Sequence, residues 1–200
     1  MFLAVLAHEH QWNEIKNSHP QVDWLRIDSL SNIPIDIDTI FILKEDYNMN
    51  FSVVSIPIFI NSVSLTLKEL NAPPNVLRIN GWNGFLSRPN WEIAGTINDK
   101  VKEVLVAIDK KFTSVPDEPG LIAARILAMI INEAWFAFEE GVSSKEEIDI
   151  AMKLGTNYPL GPFEWGALIG EKNIYALLKK LSAGNKRYLP APLLHQNESE

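Results

Sequence analysis

In 200 residues with no cysteine and four histidines, the groups able to move protons or hold ligands gather in three places. His8 and His10 stand two apart at the end of an apolar run. On a strand that spacing sets both rings on one face, and with Glu9 they could be taken for part of a metal site. No third ligand is placed by spacing, and a polar strand end accounts for the pair equally well. The second place is Arg78 to Pro89, RINGWNGFLSRP, with Glu92 shortly after it. The amide of Asn83 is able to hydrogen-bond a carbonyl, and an asparagine between Trp82 and Gly84 also suits a turn. The third is the lysine group Lys100, Lys102, Lys110 and Lys111, which would either meet phosphates or form a solvated helix face.

These groups must be carried by elements, and the chain changes character near Val115. Before it, Phe2–Leu6, residues 39–43, 53–56 and 76–79 are β-branched or apolar runs punctuated by polar residues and proline, and they predict strands. Residues 101–111 carry a helical stripe at 101, 104, 105 and 108. Together they predict an α/β layer with a partly parallel sheet. After Val115 the period is helical. Residues 121–140 form a long helix, apolar around most of its circumference and therefore central or at an interface. Residues 143–155 form a second, with Ser143 and Glu146 as a capping box and Gly155 as its stop. Pro159 and Pro162 lead into a third, and 171–182 is a fourth. The tail from Gln196 is polar and expected to fray.

The composition excludes several classes. A net charge of −7 argues against a nucleic-acid binder. The lack of cysteine rules out disulfides and thiolate metal sites. The apolar start, 1–7, is too short for a signal peptide, and no run is long enough for a membrane span. A cytoplasmic protein of one or two small domains is the expectation.

Several short motifs occur in one register: Pro116-Asp117-Glu118-Pro119-Gly120 leading to Arg125, Asn132-Glu133-Ala134, Glu140-Gly141-Val142, Ile148-Asp149, Pro159-Leu160-Gly161-Pro162-Phe163-Glu164, and Arg187-Tyr188-Leu189-Pro190-Ala191-Pro192. In that order they resemble the helical C-terminal domain of 3-hydroxyacyl-CoA dehydrogenases. The resemblance implies a reduced Rossmann-like α/β domain over residues 1–115 and a helical domain over 116–200. It implies an oxidoreductase of fatty-acid β-oxidation with NAD as cofactor and no metal, an acyl-CoA ligand, and a homodimer formed through the helical domain. An acidic residue usual after the Gly-Pro-Phe-Glu motif is Ala167 here.

Set against that family, the chemistry upstream is depleted. No G-x-G-x-x-G occurs, and the first glycine is Gly81. The turn after the first strand, residues 7–12, is bulky and acidic, and it would crowd and repel a diphosphate. Asn83 stands where the resemblance places the catalytic histidine, whereas Glu92 matches its partner glutamate. The substrate positions fall on Ser62, Val63 and Ser64, with Ala124 where an asparagine is usual. An asparagine amide has no usable basic site, and losing such a base typically costs about 10² to 10⁴ in rate. The expectation is a catalytically impaired relative, with a non-catalytic acyl-CoA-binding or dimerising regulatory subunit as the alternative.

Overall fold

A computed structural model describes residues 1–19, 21–45, 51 and 55–196, in two compact units, Met1–Leu121 and Ile122–Glu200. In the first unit, β1 (Phe2–Leu6), β2 (Asp23–Arg26), β3 (Thr39–Ile42), β4 (Ile58–Asn61) and β5 (Val76–Ile79) form one sheet in the order β2-β1-β3-β4-β5. Every pairing in it is parallel. Parallel strands buried on both faces read as unbroken apolar runs, which is why FLAVL, TIFI and IFIN carry no alternation. Leu3, Val5, Phe41, Phe59, Leu77 and Ile79 face α1 (Glu9–Ser18) and α2 (Asp99–Ala107), joined by Ile15, Val101 and Val104. Phe41 stacks on Phe59 with centroids 4.9 Å apart. The opposite face, with Ala4, Ile40, Ile42, Ile58 and Ile60, is covered by Ile37, Leu67 and Leu70 from irregular segments.

A second, two-stranded parallel sheet joins β6 (Asn90–Ile93) to β7 (Lys111–Ser114). It meets the main sheet through one antiparallel bridge, Arg78 to Ala94. Arg78 is also the polar centre of this unit. Its side chain is fully buried. Its Nε donates to the Ser62 carbonyl at 2.8 Å, Nη2 to the Val63 carbonyl at 3.1 Å, and Nη1 to Asp117 at 2.6 Å. Asp117 in turn accepts from the Leu67 and Lys68 amides. Desolvation works to raise the Asp117 pKa. The Leu67 amide, Arg78 and the Lys68 amide outweigh it, so the net shift is downward.

In the second unit, α3 (Ala123–Glu139) packs on α4 (Lys145–Thr156), α5 (Pro162–Ile169), α6 (Glu171–Ser182) and α7 (Pro192–Gln196). The quoted motifs hold these helices together. Asp149, 7% exposed, accepts from the Phe163 and Glu164 amides and so caps α5 from a neighbouring helix. A Cβ on Gly161 would run into the Asp149 side chain. Asn132 donates to the Leu189 carbonyl at 2.9 Å and accepts from the Ala191 amide at 2.8 Å, fixing the Tyr188–Pro192 segment.

Several sequence expectations are corrected. His8 and His10 do not lie on a strand. His8 is the N-cap of α1, and the two rings stack 5.9 Å apart. The five-stranded sheet is wholly parallel, because each connection crosses back to the same end of the strands before the next begins. Of the strand expected at 53–56, Val53 and Val54 lie outside the described residues and 55–56 form a bend; β4 starts after Pro57. The helix expected to 111 stops at Ala107, where Asp109 takes a positive φ and Lys111 enters β7. The capping box sits one residue later, on Ser144 and Glu147. Gly155 stays helical, and Asn157 makes the left-handed cap. Among the described residues no helix is long and apolar enough to cross a membrane, and no three His, Cys, Asp or Glu side chains are placed to hold a metal ion.

Two stability outcomes are expected. Arg78→Met takes the cation from Asp117 and the donors from the Ser62, Val63 and Glu118 carbonyls, and urea unfolding should report a loss of about 3–5 kcal/mol. Asp149→Ala removes the cap of α5 and should cost about 0.5–2 kcal/mol in the same experiment.

Candidate functional site

In open parallel sheets, ligands bind beyond the carboxyl ends of the strands, at the point where strand order reverses. In the order β2-β1-β3-β4-β5 that point lies between β1 and β3. The segments leaving these carboxyl ends include residues 7–8, 43–45, 62–75 and 80–89. They carry Ser62, Ser64 and Asn83, and Glu92 follows on β6.

Segment 80–89 is held from three sides. The Glu14 carboxylate on α1 accepts from the Gly84 amide at 3.0 Å and the Ser87 amide at 2.8 Å. The Trp91 indole donates to the Leu86 carbonyl at 3.2 Å. Lys110, 7% exposed, donates to the Arg88 carbonyl at 2.6 Å and lies over the Trp91 ring. Burial lowers the Lys110 pKa to about 8, against the opposing pull of Glu14 and Asp109. Gly81 is clamped where the segment begins. Its amide donates to Asn61 Oδ1 at 2.9 Å, and a Cβ there would sit 2.7 Å from the Asn61 Cβ. Only glycine fits that approach.

The predicted site residues separate in this frame. Asn83 lies half-buried in the turn of segment 80–89. Glu92 is half-buried on β6. Its negative charge works to raise the Arg88 pKa, and desolvation outweighs it so that the pKa falls. The Arg88 guanidinium covers the Phe85 ring at 4.0 Å. Ser62 is fully buried, and its hydroxyl donates to the Leu65 carbonyl at 2.8 Å. Ser64 is half-buried in the following bend, and Val63 is buried. These residues belong to the first unit, whereas Ala124, buried in the first turn of α3, belongs to the second.

Three polar residues at the strand ends escaped the sequence argument. Gln11, 4% exposed, donates to the Leu43 carbonyl at 2.8 Å and the Gly81 carbonyl at 3.1 Å, and its Oε1 accepts from the His8 amide at 3.2 Å. Asn61 donates to the Leu43 carbonyl and to Glu45. Desolvation raises the Glu45 pKa, partly offset by a hydrogen bond from Trp82. The one signal in sequence was a bulky amide, Gln11, in the turn where glycines are expected. An NAD diphosphate calls for a glycine turn with free amides and no nearby carboxylate. The His8 amide is already paired, the Gln11 amide occupies the strand ends, and Glu45 stands beside Asn61. These residues do not fit a diphosphate.

A parallel α/β sheet followed by a unit of motif-pinned helices defines a two-unit, dehydrogenase-like class. Comparison with known proteins narrows it. Residues 120–197 match the family model for the 3-hydroxyacyl-CoA dehydrogenase C-terminal domain. An Escherichia coli 3-hydroxyadipyl-CoA dehydrogenase is 47% identical over 89 residues, 44% of this chain and 19% of that protein. The human mitochondrial hydroxyacyl-coenzyme A dehydrogenase is 39% identical over 153 residues, 70% of this chain and 49% of the relative. The crystal structure of a (S)-3-hydroxybutyryl-CoA dehydrogenase from Ralstonia eutropha superposes with a TM-score of 0.75 at 18% identity, covering 98% of this chain and 92% of that one, which is a likeness of fold. Over residues 120–197 the chain belongs to the 3-hydroxyacyl-CoA dehydrogenase family by its C-terminal domain. The curated relatives are matched over 19% to 52% of their length.

Lys110 gives the site a pH signature. Its folded pKa of about 8 lies below the ordinary 10.5, so between those values the unfolded chain binds more protons and stability rises with pH. The denaturant midpoint is expected to climb from pH 8 toward pH 10, and the climb should flatten in Lys110→Met.

Proposed function

We propose that this chain is a 3-hydroxyacyl-CoA dehydrogenase relative that no longer turns over, and that it acts by binding an acyl-CoA or by associating with a second copy in the fatty-acid setting of its relatives. The observation that carries this reading is Asn83. Oxidising a 3-hydroxyacyl thioester requires a base for the hydroxyl proton and an acceptor for the hydride. An amide at position 83 supplies no base. The carboxylate of Glu92, with no imidazole at position 83 to orient, shares its surroundings with the Arg88 cation. The poor fit of a diphosphate at Gln11 and Glu45 argues in the same direction for the hydride acceptor. NAD therefore stands as the family's cofactor and not as this chain's.

The purified protein should leave NADH absorbance unchanged with acetoacetyl-CoA, while calorimetry should detect saturable binding of the thioester without NADH. NADH oxidation that disappears in Glu92→Gln would overturn the loss of turnover. Self-association rests on a separate observation. Ile122 and Ile126 at the start of α3 are 46% and 56% exposed, and Ile150 and Leu154 on α4 are 51% and 83% exposed. Each pair stands four residues apart, on one helix face. Sedimentation should find a dimer that Leu154→Glu weakens. A monomer at every concentration would remove this second reading.

A further inference from the structure

The two side-chain amides at the carboxyl ends of the sheet form a closed set. Leu43, just past β3, offers one carbonyl, and both Gln11 and Asn61 donate to it. Gly81, past β5, has both backbone groups taken, its carbonyl by Gln11 and its amide by Asn61. Gln11 closes the set on its own helix by accepting from the His8 amide at the N-cap of α1. Three parallel strands and the opening of α1 are thereby joined by side chains from within. Gln11 and Asn61 are 4% and 2% exposed, so water contributes little to satisfying these groups.

We propose that Gln11, braced by Asn61, is a built-in occupant of the switch-point crevice: its Oε1 takes the His8 amide that a phosphate would otherwise find open, its Nε2 ties the Leu43 and Gly81 carbonyls together, and the first unit stays folded with that crevice closed to dinucleotides. Each carbonyl at the strand ends needs a donor once buried. A bound nucleotide often orders such loops in open α/β sheets, and here the ordering comes from position 11. Position 11 is a structural position, and the crevice is not a cofactor site awaiting its ligand. The inference deepens the proposed loss of turnover on its nucleotide side. Its tests read stability instead of turnover, so one can fail while the other stands.

The test is thermal unfolding of the full chain with three comparisons. Gln11→Ala takes the side-chain donor from the Gly81 carbonyl, leaves the Leu43 carbonyl to Asn61, removes the acceptor of the His8 amide, and should lower Tm by about 5 °C or more. A neutral Gln11→Ala would overturn the proposal. NADH in large excess should leave the wild-type Tm unchanged, and a saturable upward shift would overturn it as well. Gln11→Glu covers the case in which the alanine variant does not fold. Its carboxylate would face two carbonyls, which raises its folded pKa above the ordinary value of about 4.3. A group raised in this way stabilises below its unfolded pKa, and that contribution is lost as pH rises through the folded pKa. The Tm deficit of Gln11→Glu relative to wild type should therefore shrink as pH falls from 7 toward 5. The neighbouring charged groups, His8, Lys44 and Glu45, are common to both proteins, so their own contributions cancel in the difference. A deficit that does not change with pH would overturn the proposal.

Discussion

A guanidinium with no exposed surface sits at the centre of the first unit, and the arrangement around it follows from the need to answer its charge. Arg78 lies on β5, VLRI, where its three neighbours in the strand are apolar. Its charge is met by Asp117 and by the carbonyls of Ser62, Val63 and Glu118. Those groups come from two segments far apart in sequence, and each is bent toward the same point. The segment after β4 therefore turns inward, which buries Ser62 and Val63. The segment around Asp117 is drawn to the end of β5, and the Gly120 amide adds a bond to the Val63 carbonyl. Removing such a charge's partners is far costlier than never having buried it, so the two segments and the strand form one unit of structure.

The second unit solves a different problem in the same manner. The five helices α3 to α7 leave many amides and carbonyls at their ends without partners inside the helix. Asp149 supplies acceptors to α5, Asn132 brackets the Leu189–Ala191 stretch, and Glu139 accepts from the Leu193 amide. Two of the motif residues, Asn132 and Asp149, are thus ones whose polar atoms reach across to another helix's end. Apolar positions tolerate exchange, whereas a side chain that caps a neighbour has few substitutes.

The helical half was largely legible in the sequence because period 3.6 and fixed motifs coincide there, and its errors were shifts of one or two residues at caps. The α/β half was legible in outline only. Phe2–Leu6, β3 and β5 stood out as apolar runs, whereas β2, DWLR, has polar ends and β4, IFIN, begins just after Pro57, beyond the run expected as a strand. Helix α1 escaped because its sequence, EHQWNEIKNS, is polar with few apolar positions, and its packing rests on Ile15 and the buried amide of Gln11. Asn83 and Glu92 were located from sequence, but what surrounds them was not. Arg88, Lys110 and Glu14 come together only through the sheet, and Lys110 in particular read as one of a solvated lysine group although its ammonium is buried.

The Gln11 amide also bears on how this chain changes over time. A residue that contacts a cofactor is free to drift once the cofactor is no longer used. A residue that has taken the cofactor's place becomes part of the interior and is held as strictly as a core leucine. Returning to the ancestral arrangement would require emptying position 11, restoring glycines before it and freeing Gly81 from Asn61; emptying position 11 alone takes a donor from the Gly81 carbonyl, and freeing Gly81 alone takes the acceptor from its amide. The crevice therefore works as a ratchet, easily entered by substitution and hard to leave one substitution at a time.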